Sequence, residues 1–396
     1  MNIWVIKSGE PLPFDSKAER LLRSSTLAVL LATKPEVKVT YFFDAFDHKR
    51  KVNRIVPSEV FNYMGVEYVP LRGIGYRKNV SLRRVLHNYI ISLDVLRRAF
   101  FVEKPNVIIL SFPPIALAFT VALFSRLRRS RLILDLRDMW PDIFVSKSRS
   151  FLRWIIVCFH FPLIRFILNS GFRIVGVAPV FKVWANQYSF ISHKFTVIPH
   201  TYYSTTPYEF CNMGGPTNSD AITRVVYFGA LSQQRSLREA CKFFTSLKLL
   251  DSKLVVHICG YGDEAEDLKA EFESDWLNFP GLIDVNEMNV LASQATIGLA
   301  PYLLNENYQE NIPNKIIEYL YYDLSILTNI DFKSFSKNIS LDGVARSYNN
   351  YESFVTAYFS LKSNYLKGRS KRIFDTDLGN EIFLKKYLNI IYDGEC

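Results

Sequence analysis

The strongest constraint on this chain is an alternation, repeated in both halves, of short β-branched runs with longer helical stretches. In the first half Asn2–Lys7, Val37–Phe43, Val107–Ser111, Leu132–Leu136 and Ile174–Val177 read as strands. Ser16–Thr33 reads as a helix, with Ala18, Leu21, Leu22, Ala28 and Val29 as its apolar content. In the second half Arg224–Phe228, Leu254–Cys259, Ile297–Ala300 and Ser325–Thr328 read as strands with helices between them. Strands that are apolar at nearly every position, separated by helices, imply parallel sheets covered on both faces. Thr205–Thr223, rich in Gly, Pro, Asn, Ser and Thr, is the best linker in the sequence. The expectation is an α/β protein with two Rossmann-like doubly wound domains, 1–205 and 224–379, facing each other across a cleft. Residues 206–223 join them, and 380–396 form a C-terminal helix crossing back toward the N-terminal domain. In such sheets ligands sit at the carboxyl ends of the strands.

The 396 residues suffice for two domains, and a 49% hydrophobic content excludes a disordered chain. Five cysteines lie far apart with no C-x-x-C, which argues against a structural zinc site or a disulfide scaffold and fits a reducing compartment. No basic stretch followed by a long apolar run opens the chain, so no secretion signal is expected. The charge is unevenly placed. Residues 1–200 hold 30 Lys and Arg against 13 Asp and Glu, whereas 201–396 hold 18 against 25. So basic a half is drawn to polyanions, either nucleic acid or an anionic membrane leaflet. The longest uncharged run, Pro105–Ser125, is broken by Pro113-Pro114 and reads as strand, turn and helix rather than a membrane span. Phe151–Leu168 mixes bulky apolar residues with Arg153, His160 and Arg165, and Pro162 is expected to kink or end a helix there. It suits an interfacial helix, and a core helix under the sheet equally. Membrane contact without insertion is the expectation.

The sharpest constellation is Glu310-Asn311-Ile312-Pro313-Asn314-Lys315-Ile316-Ile317-Glu318. Pro313 is expected in the first turn of a helix whose amides point back toward Glu310, a setting suited to an anionic phosphate. Glu310 would precede the helix and Glu318 sit more than a turn inside it, so the two could serve opposite ends of one elongated ligand. A carboxylate accepts hydrogen bonds from two vicinal hydroxyls of a sugar or ribose. On physical grounds alone, a capped surface helix with two ordinary glutamates fits as well.

Glu310 and Glu318, with seven residues between them, resemble the E-x7-E motif of the family 4 retaining glycosyltransferases, which have the GT-B fold. ENIPNKIIEYLYYDLSILT is similar to bacterial members that build cell-surface polysaccharides such as O-antigen, capsule and exopolysaccharide. SGEPLPFDSKAERLLR, FDAFDHKRK, YRKNVSLRRV and DLRDMWPD extend the resemblance over nearly the whole chain. The resemblance implies that Glu318 bonds the donor ribose, that Glu310 bonds the donor sugar near its reacting carbon, and that the backbone from Asn311 through Ile312 and Pro313 to Asn314 approaches sugar and pyrophosphate. Gly229–Arg235, GALSQQR, matches the family's phosphate loop, with Ala230 where an Arg is usual and Arg235 where a Lys is usual. Arg235 can neutralise a leaving diphosphate bidentately, and Lys315 is the cation available to replace the one missing at 230. Gly260 and Gly262 resemble the G-x-G turn near the base, and Gly9 would let the chain pass close to the diphosphate. Where many members carry a histidine, this sequence has Arg137-Asp138. Asp138 is therefore the candidate catalytic group in the first domain, binding the acceptor hydroxyl or the donor sugar. An ion pair with Arg137 or a helix cap is its other reading. His48 and His200 receive no catalytic role.

The implied activity is metal-independent transfer of a sugar, with retention, from a nucleotide-diphosphate sugar, taken as UDP-linked, to a polyprenyl-diphosphate-linked saccharide. The N-terminal domain would bind the acceptor and the C-terminal domain the nucleotide-sugar. No cofactor and no nucleic acid partner are expected, and the location expected is cytoplasmic, at the inner face of the cell membrane. The alternatives are an inert GT-B scaffold, an RNA- or membrane-binding module, and a nucleotide-sugar epimerase.

Overall fold

NIWVIK is apolar except at its ends, and it forms the fully flanked strand β1 (Asn2–Lys7). The computed structural model describes residues 1–15, 21–48, 50–57, 59–78, 81–142, 150–204, 222–303, 312–331 and 339–393, with the backbone alone for 150–157 and 234. Glu310, Asn311 and most of the expected linker lie outside the described residues. Described parts of Met1–Asp15, Leu21–Pro199 and Phe383–Cys396 form one compact unit, and those of His200–Ile382 form a second.

In the first unit β1 is followed by β2 (Lys38–Asp44), the short pair β3 (Phe46–Asp47) and β4 (Val52–Asn53), β5 (Phe61–Tyr63), β6 (Val66–Leu71), β7 (Val107–Phe112), β8 (Arg131–Leu136), β9 (Arg173–Gly176) and β10 (Phe195–Val197). They assemble in the order β10-β9-β8-β7-β1-β2-β6-β5, parallel throughout except for β5 at the edge. The strand order reverses between β1 and β7, the doubly wound arrangement. Strand β6 was not expected, because Pro70 and Glu67 interrupt its apolar pattern. Pro70 is tolerated because β5 pairs only with Val66–Tyr68, so its missing N–H leaves no ladder bond unmade on that side.

The helices Leu82–Arg98, Ile115–Arg128 and Ser150–Ser170 cover one face of this sheet through Ile91, Val95, Leu117, Val121, Ile164 and Ile167. The other face is covered by Arg23–Ala32 and by the terminal helix Asn380–Tyr392, which buries Phe383, Tyr387, Ile390 and Ile391 there. Pro105–Ser125 is the strand β7, a proline turn and the start of a helix. Two helices differ from expectation. Of the first, expected over Ser16–Thr33, residues 16–20 lie outside the described residues; the described helix begins at Arg23, because Leu22 is extended and the Glu10 carboxylate accepts the Ser25 N–H at 2.8 Å and caps it. The second, Ser150–Ser170, runs on through Pro162. Pro162 is exposed, so the Cys158 carbonyl it frees is open to water, while buried Ile164, Ile167 and Leu168 hold the C-terminal turns in place. Among the described residues no helix is long and apolar enough to cross a membrane.

The second unit contains β11 (Thr223–Phe228), β12 (Leu254–Cys259), β13 (Leu277–Gly281), β14 (Ile297–Ala300), β15 (Ser325–Thr328) and β16 (Ala345–Ser347). Thr223, assigned to the linker from sequence, is buried as the first residue of β11. The order β13-β12-β11-β14-β15-β16, all parallel, again reverses at the first strand, between β11 and β14. Each unit thus has its own switch point, where an open parallel sheet accepts a ligand.

Candidate functional site

In the second unit the chain leaves β11 through Gly229 and β12 through Gly260, at φ +149° and +148°, backbone conformations that side chains rarely adopt. The Gly229 N–H donates to the Cys259 carbonyl at 2.9 Å, and the Gly260 N–H to the Gly281 carbonyl at 2.7 Å. The two loops are sewn together at Leu231, whose N–H donates to the Tyr261 carbonyl (2.9 Å) and whose carbonyl accepts the Glu264 N–H (3.1 Å). They are so close that a Cβ on Gly260 would overlap the Gly229 carbonyl oxygen and stand 2.8 Å from its carbon. A Cβ on Gly262 would likewise overlap the Leu231 carbonyl oxygen. The expected G-x-G turn and phosphate loop are therefore one packed object.

Lys315 arrives at the same point from the helix Asn314–Tyr321. Its buried amine donates to the Phe228 carbonyl and lies 4.1 Å from the centre of the Tyr227 ring. Gly229 makes room for it, since a Cβ there would overlap Nζ and stand 3.1 Å from Cε. The Tyr227 hydroxyl donates to the Ala230 carbonyl at 2.6 Å, and burial raises its pKa, so it stays a donor. Arg235 stands with its guanidinium carbon 4.8 Å from the Tyr302 ring centre, and its buried Nε has no hydrogen-bond partner among the described residues. Tyr302 is fixed by Asn329, which accepts its N–H (2.8 Å) and donates to its carbonyl (2.7 Å). Glu318 is buried one turn along from Asn314. Pro313 is the N-cap, not the first turn: its ψ of 145° is extended, so the helix starts at Asn314. Having no N–H, Pro313 cannot contribute an amide, and of the described residues at this end Ile312 and Asn314 can. Ile312 is buried and Asn314 exposed.

Sequence reasoning missed the aromatic support. Tyr319 donates to the Leu299 carbonyl at 2.8 Å and packs its ring directly over Gly298, which has no Cβ to keep it away. That draws the helix bearing Lys315 and Glu318 down onto β14. A tyrosine beside Glu318 and a lone glycine in β14 were the visible signals.

In the first unit Gly9 follows β1 at φ +73°, with the His48 Cβ 3.4 Å from where its own Cβ would sit. Lys7, Glu10, Arg137 and Asp138 gather at the ends of β1 and β8. Burial foremost, then Arg137, lowers the Lys7 pKa against the pull of Glu10, Asp138 and Asp135. Arg137 pairs with Asp135 (3.3 Å) and Glu10 (3.9 Å). Loss of surrounding water pushes the Asp138 carboxyl up, with Lys7 and Arg137 opposing; the side chain is exposed, so solvent screens part of this. His48 is more engaged than its sequence suggested. Its Nδ1 meets the Tyr76 hydroxyl and lies 3.5 Å from Lys51 Nζ. Burial, then Lys51 and Arg84, lowers its pKa to about 4. A histidine with a depressed folded-state pKa contributes stability above its unfolded value of about 6.5, and that contribution is lost as pH falls toward 4. An NMR titration should accordingly find the His48 ring neutral down to pH 5, and a midpoint near 6.5 would contradict this environment.

No protein-family model matches the chain, and no curated protein matches it in sequence. Solved structures do match, and they define the fold as that of the GT-B glycosyltransferases. Anabaena HepE in complex with UDP superposes with a TM-score of 0.61 at 10% identity over 98% of both chains, and it has also been solved with UDP-glucose. WaaG, a glycosyltransferase involved in lipopolysaccharide biosynthesis, matches with a TM-score of 0.59 at 12% identity over 100% of both chains. A putative UDP-N-acetylglucosamine 2-epimerase from Listeria monocytogenes matches at 0.57 with 8% identity, covering 99% of this chain and 95% of its own.

Proposed function

We propose that this chain is a retaining, metal-independent hexosyltransferase that moves a sugar from a UDP-linked donor to a lipid-linked oligosaccharide in cell-surface polysaccharide assembly. The observation that carries the proposal is the convergence, at the end of β11, of the Gly229–Arg235 loop with Lys315 and Glu318. These residues are some eighty positions apart in sequence, and they meet beside the switch point of a doubly wound sheet. The same fold in UDP-bound HepE and in WaaG supports the reading.

The leaving group is a nucleoside diphosphate, so the chief task is to stabilise its charge. The Lys315 amine stands beside Gly229, and Arg235 supplies the second positive charge for the diphosphate. Glu318 accepts hydrogen bonds from the ribose hydroxyls, and Glu310 is assigned to the donor sugar. The departing phosphate takes the proton of the incoming acceptor hydroxyl on the same face, so no protein nucleophile is needed. Asp138 is assigned to the acceptor hydroxyl or the donor sugar.

The epimerase among the structural neighbours is a second reading, since its TM-score is close to that of HepE. Incubation with UDP-sugars and a polyprenyl-diphosphate saccharide separates the two. Acceptor-dependent UDP release, with a product anomer matching the donor, is the expected result. Interconversion of UDP-N-acetylglucosamine without an acceptor would replace transfer by epimerisation.

A further inference from the structure

The helix Leu82–Arg98 is inside out. Its sheet side carries His87, Ser92 and Asp94 alongside Ile91 and Val95, all buried. Its outer side presents Leu82, Leu86, Tyr89 and Leu93 at spacings of four, three and four residues, one continuous stripe of the helix. Leu82 is 88% and Leu93 65% exposed, and just past the helix end Phe100 and Phe101 are 83% and 79% exposed. The helices packed beside it continue the pattern. Ile115–Arg128 exposes Leu123 and Leu127, and Ser150–Ser170 exposes Phe159. All three lie on the same face of the first sheet, so these outward side chains belong to one side of the unit.

The charge on this face points to one kind of occupant. The three helices contain eight arginines, no lysine and a single acid. That acid, Asp94, is buried and held by Arg97 at 2.8 Å and by the Arg72 N–H at 3.0 Å, so it offers no negative charge outward. Arg126, Arg128 and Arg129 are exposed around the end of the second helix, and Arg165 on the third. Two copies of so basic a face would repel each other, which disfavours self-association through it. Leucine and aromatic side chains set among arginines, with no exposed acid on the three helices and Glu103 beyond their ends paired with Lys38, match the headgroup boundary of an anionic bilayer, where apolar side chains sink shallowly and guanidinium groups meet phosphate.

We infer that the outer face of Leu82–Arg98, with Phe100, Phe101, Leu123 and Leu127, is a docking surface for an anionic phospholipid leaflet. This deepens the lipid-linked acceptor reading and rests on it for purpose, though not for its observations. The surface lies beside the segment expected from sequence to make the contact, Phe151–Leu168, of which the side chains of 151–157 lie outside the described residues. In that segment Ile164, Ile167 and Leu168 are buried in the core, and Phe159 is the large apolar side chain that the described part exposes.

The test is co-sedimentation of the full chain with mixed phosphatidylcholine–phosphatidylglycerol vesicles. Binding should be strong, weak to phosphatidylcholine alone, and reduced by added salt. Leu86→Glu with Leu93→Glu should lower the partition coefficient by at least about tenfold. Arg128→Glu with Arg129→Glu should remove the preference for the anionic lipid. Both pairs are at exposed positions, so the melting temperature should not move, and UDP titration of the same variants should match the wild type. Failure to bind the anionic vesicles overturns the inference, as does undiminished binding by both variants. Self-association of the wild type in sedimentation velocity, abolished by Leu86→Glu with Leu93→Glu, would assign the face to a second copy instead. A wild type that binds vesicles and not UDP would overturn the donor reading while leaving this surface standing.

Discussion

Replacing Gly260 by alanine is expected to destabilise the second unit by at least about 3 kcal/mol. Two costs combine. The residue sits at φ +148°, which a side chain resists, and the added Cβ would overlap the carbonyl oxygen of Gly229 in the neighbouring loop. That contact is with backbone, so no rotamer change relieves it; either the two loops part or the strands they end must shift. Parting the loops also displaces Gly229 from the Lys315 amine, so donor affinity should fall together with stability. Gly281→Ala is the internal control. It too has a positive φ, +80°, but nothing lies within 4 Å of its missing Cβ. It should cost only the conformational penalty, about 1–2 kcal/mol. Urea unfolding of both variants checks the pair; equal costs would mean the loops are not packed as described.

Arg23→Met should cost the first unit about 3–5 kcal/mol, because it leaves a buried carboxylate short of its partner. The Arg23 guanidinium donates Nε to both oxygens of Asp135 (3.0 and 3.2 Å), one amino group to the Pro199 carbonyl (2.7 Å) and the other to the Tyr387 hydroxyl (2.7 Å). It also lies over the rings of Phe383 and Tyr387, at 5.1 and 5.3 Å. One side chain thus ties the first helix to β8 and to the terminal helix. Burial works against the charged form of Asp135, but Arg23 and Arg137 override it and hold its pKa low. The stability from this carboxylate is present above its unfolded pKa and is lost as pH falls below about 4. Removing both charges, with Arg23→Met and Asp135→Leu together, should recover part of the loss, because the buried apolar pair carries no desolvation cost while Arg137 loses its nearer carboxylate and keeps Glu10. Thermal unfolding of the single and double variants measures this, and a double variant no better than the single would show that the hydrogen bonds to Pro199 and Tyr387 dominate.

How much of this was legible in the sequence depends on where each residue's partners lie. Val107–Phe112 and Leu254–Cys259 announce themselves, because a strand buried on both faces needs apolar residues at nearly every position. The β6 strand does not, since whether Pro70 is tolerable depends on how far its edge neighbour extends. The true start of the first helix was hidden for a similar reason: its cap is Glu10, thirteen residues before Arg23, and not a local serine. In the candidate site the residue types were readable, and the structure places the Lys315 amine beside Gly229, the residue before Ala230. The Tyr319 ring seated over Gly298, which sets the height of that helix, is a contact across the sheet that no spacing rule encodes. The outward stripe of Leu82–Arg98 lies beyond what spacing alone can place, since helical periodicity shows that a face is apolar and not which way it points.

The central claim, a nucleotide-sugar donor site at the end of β11, is tested most directly by calorimetric titration of UDP into the wild type and into Glu318→Ala. The account predicts binding by the wild type and a loss of about 1–3 kcal/mol, or roughly five- to more than a hundredfold, in the variant, the usual range for hydrogen bonds to a charged group. A wild type that binds none of UDP, GDP, ADP and CMP, or a variant that binds as tightly as the wild type, would contradict it.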